Sequence, residues 1–90
     1  MRFEWDETKA RTNRAKHRVD FELAPLFEFR SALIELDDDL DCGEERWSAI
    51  GWIGLGLFTL VYVERSDAIR VISLRKATND EKRRYGKYIS

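Results

Sequence analysis

From Trp47 to Val63 the chain runs for 17 residues without a charged side chain, and no other stretch limits the possible folds so tightly. The run is just short of the roughly 18 to 20 apolar residues that a membrane-spanning helix requires. Gly51, Gly54 and Gly56 interrupt it, and β-branched and aromatic side chains fill most remaining positions, which favours strands. Two strands, Arg46 to Ile53 and Leu57 to Arg65, joined at Gly54-Leu55-Gly56, account for the run. Ser66-Asp67 then turns the chain into a third strand at Ala68. The result is an antiparallel meander. Its expected registers set Trp47 opposite Val63, Val63 opposite Arg70, and Arg75 beside Phe58 and Trp52, with Ser48, Tyr62 and Val71 on the other face.

The third strand carries Ile69, Val71, Ile72 and Leu74, which crowd both of its faces and predict a strand near the middle of the sheet, covered on both sides. A helix follows it. The Thr78 hydroxyl is placed to accept from the N–H of Glu81, whose carboxylate reaches back to the N–H of Thr78, a reciprocal capping box. Tyr85, Tyr88 and Ile89 form a short apolar stripe on this helix, and Lys82, Arg83, Arg84 and Lys87 point elsewhere.

Upstream, Arg2 to Trp5 fits a short strand, and Asp6 is an N-cap for a helix from Glu7 to about His17. That helix is unusual. Only Ala10 and Ala15 are apolar, and the stripe through Ala10, Asn13 and His17 is semi-polar, so Asn13 and His17 need buried partners or the helix is held by Trp5, Val19 and Phe21 at its ends. Pro25 interrupts the apolar segment from Val19 to Phe29, which predicts a turn and a helix restarting at Pro25. Ser31 to Asp37 fits a strand with Ala32, Ile34 and Leu36 inward, followed by an acidic loop to Glu45. The fold class expected is α+β: an antiparallel sheet of four to five strands with two N-terminal helices and a C-terminal helix, one domain over residues 1–90.

Ninety residues bury only about 60–65% of their unfolded surface, so the margin of stability is small and a partner matters. The single cysteine, Cys42, excludes an internal disulfide and suits a reducing compartment. The charged N-terminus carries no export signal, so the expected location is cytoplasmic, with no membrane contact. The net charge of −1 hides an asymmetry: Glu35 to Glu45 holds seven acids, leaving 16 bases against 10 acids elsewhere. A basic body of this kind suits a polyanion or a charged protein, or is simply a solvated surface.

One histidine and one cysteine do not build an ordinary zinc site, and the loop aspartates lack EF-hand spacing, so no metal or other cofactor is expected. There is no P-loop, dinucleotide fingerprint or nucleophile elbow. His17 is the one side chain whose ordinary pKa lies near neutrality, which makes it a proton carrier or a dipole-stabilised packing residue at a helix C-terminus. Arg46, Arg65 and Arg75 offer planar forks for phosphate, against structural pairing with Glu45, Glu64 or Glu81. Trp47, Trp52 and Tyr62 offer rings for bases, or simply build the core.

The run FEWDETKARTNRAKHRVDF, then EERWSAIG, then LVYVERSDAIRVISLRKATNDEKRRY, resembles the BrnT family of type II toxin–antitoxin ribonucleases, within the wider RelE-like group. The most specific pieces are Trp5, Asp6, Lys9, Asn13, Lys16 and His17, and the segment from Arg70 to Ala77. The resemblance implies a metal-independent endoribonuclease that inhibits translation and is neutralised by a BrnA-like ribbon-helix-helix antitoxin. It further implies that DNA is met only through the toxin–antitoxin complex. On that basis His17, Arg46, Arg65 and Arg75 are the expected catalytic group, and Lys16, Lys76 and Tyr62 the expected substrate-binding residues. The alternative is a non-catalytic nucleic-acid- or protein-binding module of the same fold.

Overall fold

The computed structural model describes residues 1–37 and 44–90; the middle of the acidic loop and Cys42 lie outside the described residues. Strand β1 (Arg2–Glu4) leads into helix α1 (Glu7–His17), and two 3-10 turns follow, Phe21–Leu26 and Phe29–Ser31. Strands β2 (Leu33–Asp37), β3 (Arg46–Ile53), β4 (Gly56–Arg65) and β5 (Ala68–Lys76) precede helix α2 (Asn79–Ile89). The sheet has five strands in the order β1-β5-β4-β3-β2. It is mixed, because β1 runs parallel to β5 while the other pairs are antiparallel.

Both α-helices begin where their caps dictate. The Asp6 carboxylate accepts from the N–H of Thr8, and both halves of the Thr78–Glu81 capping box are formed. The helix expected to restart at Pro25 is instead the first 3-10 turn, with Pro25 inside it. A proline lacks the N–H that an α-helix interior needs, and a turn this short asks less of it. There is thus one N-terminal α-helix rather than two.

One face of the sheet carries the main core: Ala49, Leu60, Tyr62, Val71 and Leu74 pack under Phe21, Ala24 and Phe27. The aromatic cover comes very close. A Cβ on Gly51 would lie 2.8 Å from Phe27 Cζ and 3.0 Å from Ala32 Cβ, so β3 has room there only for glycine. The second face is covered by α2 at one end, where Tyr85 packs with Ile50 and Ala77 against Leu33, Trp52 and Leu57. Beyond α2, the half-buried Ser48, Val61 and Ser73 face outward in one row.

Two registers differ from expectation. The β3–β4 turn holds two residues, Gly54 and Leu55, because Ile53 pairs with Gly56, and Gly54 takes a positive φ of 58° that only glycine adopts freely. Trp47 therefore stands opposite Tyr62, and Ser48 lies on the other face. Between β4 and β5 the pairing of Val63 with Arg70 holds, but a bulge at Val61/Tyr62 leaves Ile72 as an extra residue and brings Arg75 opposite Thr59 rather than Phe58. At the far edge β2 begins at Leu33. Ile34 and Leu36 share the core-side face of Ala49 and Trp47 as expected, yet remain 40% and 48% exposed, because the cover stops short of that edge. Of the stripe on α2 only Tyr85 is buried, while Tyr88 and Ile89 are exposed.

Candidate functional site

β1 pairs with only the first residues of β5, Ala68 to Arg70, so the rest of β5 has an open edge. Helix α1 lies along that edge and joins to it through one side chain. Asn13 donates from Nδ2 to the carbonyls of Leu74 (2.7 Å) and Val19 (3.0 Å), and its Oδ1 accepts from the N–H of Leu74 (3.3 Å). A side-chain amide has the same donor and acceptor pair as a peptide group, so Asn13 pairs with the strand edge as another strand would. This is why a helix with so little apolar surface docks.

Between α1 and β5 a cleft of about 250 Å³ opens, with Lys16 and His17 from the helix and Ile72 and Ser73 from the strand among its walls. The Ser73 hydroxyl lies 3.5 Å from Asn13 Oδ1. Partial burial, then the Lys16 ammonium and then the Arg75 guanidinium, push the His17 pKa below its ordinary value of 6.5. The imidazole is therefore neutral at pH 7 and sits in a positive field.

Arg75, on the second face, is held by Glu81 at the start of α2. Its Nη1 and Nη2 donate to the two carboxylate oxygens at 2.8 and 2.9 Å. The Thr59 hydroxyl and the N–H of Thr78 donate to the same carboxylate, each at 2.9 Å. With Arg75 the chief cause, the Glu81 carboxyl is pulled down to about 2. The fork fixes the guanidinium plane, and a guanidinium has five N–H donors, so the edge turned from Glu81 is still able to donate.

The remaining expected residues spread out. Alternation along β3 and β4 puts Arg46 and Arg65 on the same face as Arg75. Arg46 is two strands across and two rows along, roughly 10 Å by 14 Å from strand geometry. It stands opposite Asp37 in the β2–β3 register, and Arg65 pairs with Glu44 at 3.1 Å. Tyr62 lies on the opposite face, 5% exposed and edge-on to Phe29, so its ring is a core element with no surface to offer a base. Lys76, opposite Phe58, also leaves the Arg75 face. The structure thus brings Lys16, His17 and Ser73 to one cleft, with Arg75 outside its walls but near enough to act on the imidazole, and Arg46 and Arg65 farther along the face. The pairing of Arg75 with Glu81 is the structural alternative the sequence offered, and Asn13 finds the buried partners it needed; Ser73 joins the site unannounced. Among the described residues no cluster of His, Cys, Asp and Glu is suited to a metal ion.

A family model described as the ribonuclease toxin BrnT of type II toxin–antitoxin systems matches residues 5–81. The crystal structure of the Brucella abortus ribonuclease toxin BrnT matches with a TM-score of 0.70 at 34% sequence identity, covering 88% of this chain and 99% of that one. No curated protein sequence matches.

Proposed function

The chain belongs to the BrnT family of ribonuclease toxins from type II toxin–antitoxin systems, and on that premise we propose that it cleaves RNA where α1 meets β5, with His17 as the proton-transfer group. It is a ribonuclease toxin, its substrate is RNA and its partner is an antitoxin. The juxtaposition that carries the site assignment is the imidazole of His17 beside Lys16 and Ser73 in one cleft, within the field of Arg75. Metal-free cleavage requires the ribose 2′-OH to lose its proton, the crowded phosphate to be stabilised and the departing 5′-oxygen to gain a proton. His17 takes the 2′-OH proton. Lys16 and the outward edge of Arg75 face the charge gathering on the phosphate, and Arg46 and Arg65 bind phosphates farther along the strand. The 5′-oxygen leaves from the far side of phosphorus and takes its proton from solvent, giving a 2′,3′-cyclic phosphate and a free 5′-OH.

The whole chain, residues 1–90, acts as a single toxin domain. Its antitoxin is a BrnA-like ribbon-helix-helix protein, and DNA is contacted only through their complex. The reading places the toxin in the cytoplasm, where its substrate is; no helix among the described residues is long and apolar enough to cross a membrane.

The test is cleavage of RNA by the purified chain in excess EDTA, with identification of product ends. His17→Ala is expected to lose roughly 10²–10⁴-fold in rate, and Arg75→Ala roughly 10²-fold or more. In the wild type the rate falls on acidification as His17 charges, at a pH below 6.5. If both variants cleave at the wild-type rate, the assignment of these residues is wrong; if the wild type needs a metal, so is the metal-free scheme.

A further inference from the structure

The cleft beside His17 continues along α1 away from the proton-transfer group, where Thr8, Lys9 and Thr12 complete its wall. Its charge is one-sided. Among the described residues, Lys9, Lys16 and Arg11 form no ion pair, whereas Arg14 pairs with Asp20 and Arg70 with Glu4. Among the described residues no acidic side chain lines this cleft. The depression on the other side of α1 is different, because there Arg11 and Arg14 share the walls with Glu7, Asp20 and Glu22. On α1 the two ammonium groups thus share a wall that holds no described acid and opens towards Ser73, whereas Arg11 lies among carboxylates.

Apart from His17 at its catalytic end, none of the described residues lining the cleft is aromatic. Single-stranded nucleic acid is held by cationic groups along its backbone and by rings on which bases stack. A wall of two ammonium groups and the hydroxyls of Thr8 and Thr12 supplies the first and lacks the second. Lys9 and Lys16 are seven residues apart, about 10.5 Å along the helix axis, so they meet different phosphates. We propose that the α1–β5 cleft is a sequence-blind subsite for the sugar-phosphate backbone flanking the scissile bond, with Lys9 on a phosphate next to the one at His17. This rests on the reading of the chain as an RNA-cleaving toxin whose reaction takes place at His17. It assigns sequence preference to some other part of the surface.

The experiment measures binding of two single-stranded 2′-O-methyl oligonucleotides, oligouridine and oligoadenosine, which lack the attacking hydroxyl and so stay intact. Dissociation constants of the wild type, Lys9→Ala and Arg11→Ala are taken over a salt series. A lost phosphate contact on a single strand lowers the slope of log affinity against log salt by about 0.7. Lys9→Ala is expected to show that reduction equally on both oligonucleotides, with its affinity deficit narrowing as salt rises, while Arg11→Ala keeps the wild-type slope. An unchanged slope in Lys9→Ala overturns the proposal, as does an equal loss in Arg11→Ala, which would mean net charge alone. A loss confined to one oligonucleotide, or a wild type that binds neither, overturns it too. Because binding is read without cleavage, absence of RNA cleavage by the wild type would count against the ribonuclease site and leave the slopes to judge the cleft.

Discussion

Asn13 shows how much one side chain can decide. It is 7% exposed and uses both ends of its amide to close the free edge of β5 and the carbonyl that ends the turn after α1. Replacing it with alanine strands the N–H and C=O of Leu74 and the C=O of Val19 in a buried place, where each unpaired group costs about 1–3 kcal/mol. Asn13→Ala should therefore lower stability by about 3 kcal/mol or more in chemical denaturation, well beyond the roughly 0.5 kcal/mol expected at an exposed helix position. A smaller loss would mean water replaces the amide. The need for a partner was visible in the sequence, since the stripe through Ala10, Asn13 and His17 is too polar to bury alone. The partner was not, because it is a backbone group 61 residues away and main-chain edges leave no mark in composition. Tyr62 teaches the converse. Its ring suits stacking on a base, and only the register turns it inward.

At the scale of elements, the site depends on the junction between β5 and α2. The capping box that starts α2 also orients Glu81 towards Arg75, so the signal that ends the strand and begins the helix places a guanidinium as well. The Glu81 carboxyl sits at about 2 in the fold against 4.5 ordinarily. A depressed acid stabilises the fold above its ordinary value and loses that contribution as pH falls towards the folded one. Glu81→Gln is therefore expected to cost about 1–3 kcal/mol at pH 7, with the gap to the wild type closing between pH 4.5 and 2. It should also lower kcat more than it raises KM, because an unfixed Arg75 keeps its charge and loses its aim. A constant stability gap across the acid range would refute the pairing. The strands in their order, the starts of α1 and α2 and the meander could be read from periodicity and caps, whereas the helix expected at Pro25 is a 3-10 turn. The bulge could not: Ile72 looks like any other strand residue, yet it shifts Arg75 by one position and so onto Thr59 and Glu81.

For the molecule as a whole, the two sheet faces differ in weight. The main core, with Leu60, Val71 and Leu74 fully buried, ties β1, α1 and both 3-10 turns to the sheet, whereas α2 is held by the small cluster of Tyr85, Ile50 and Ala77, by the bond from the Tyr85 hydroxyl to the Ser31 carbonyl at 3.0 Å, and by the polar pairs of Glu81 with Arg75 and Thr59 and of Arg84 with Glu35. A domain of this size has a total stability of about 5–13 kcal/mol. Leu60→Ala, at about 2–5 kcal/mol, removes a large part of it and should weaken every strand together. Tyr85→Ala acts on a region that can open by itself, because the main core survives its loss. Its amide hydrogen exchange is expected to rise across 79–89 while β4 and the paired part of β5 stay protected, and RNA cleavage should fall because Glu81 leaves Arg75 when α2 lifts. Equal loss of protection in helix and sheet would show instead that the two faces unfold as one, and that the site is as rigid as the core beneath it.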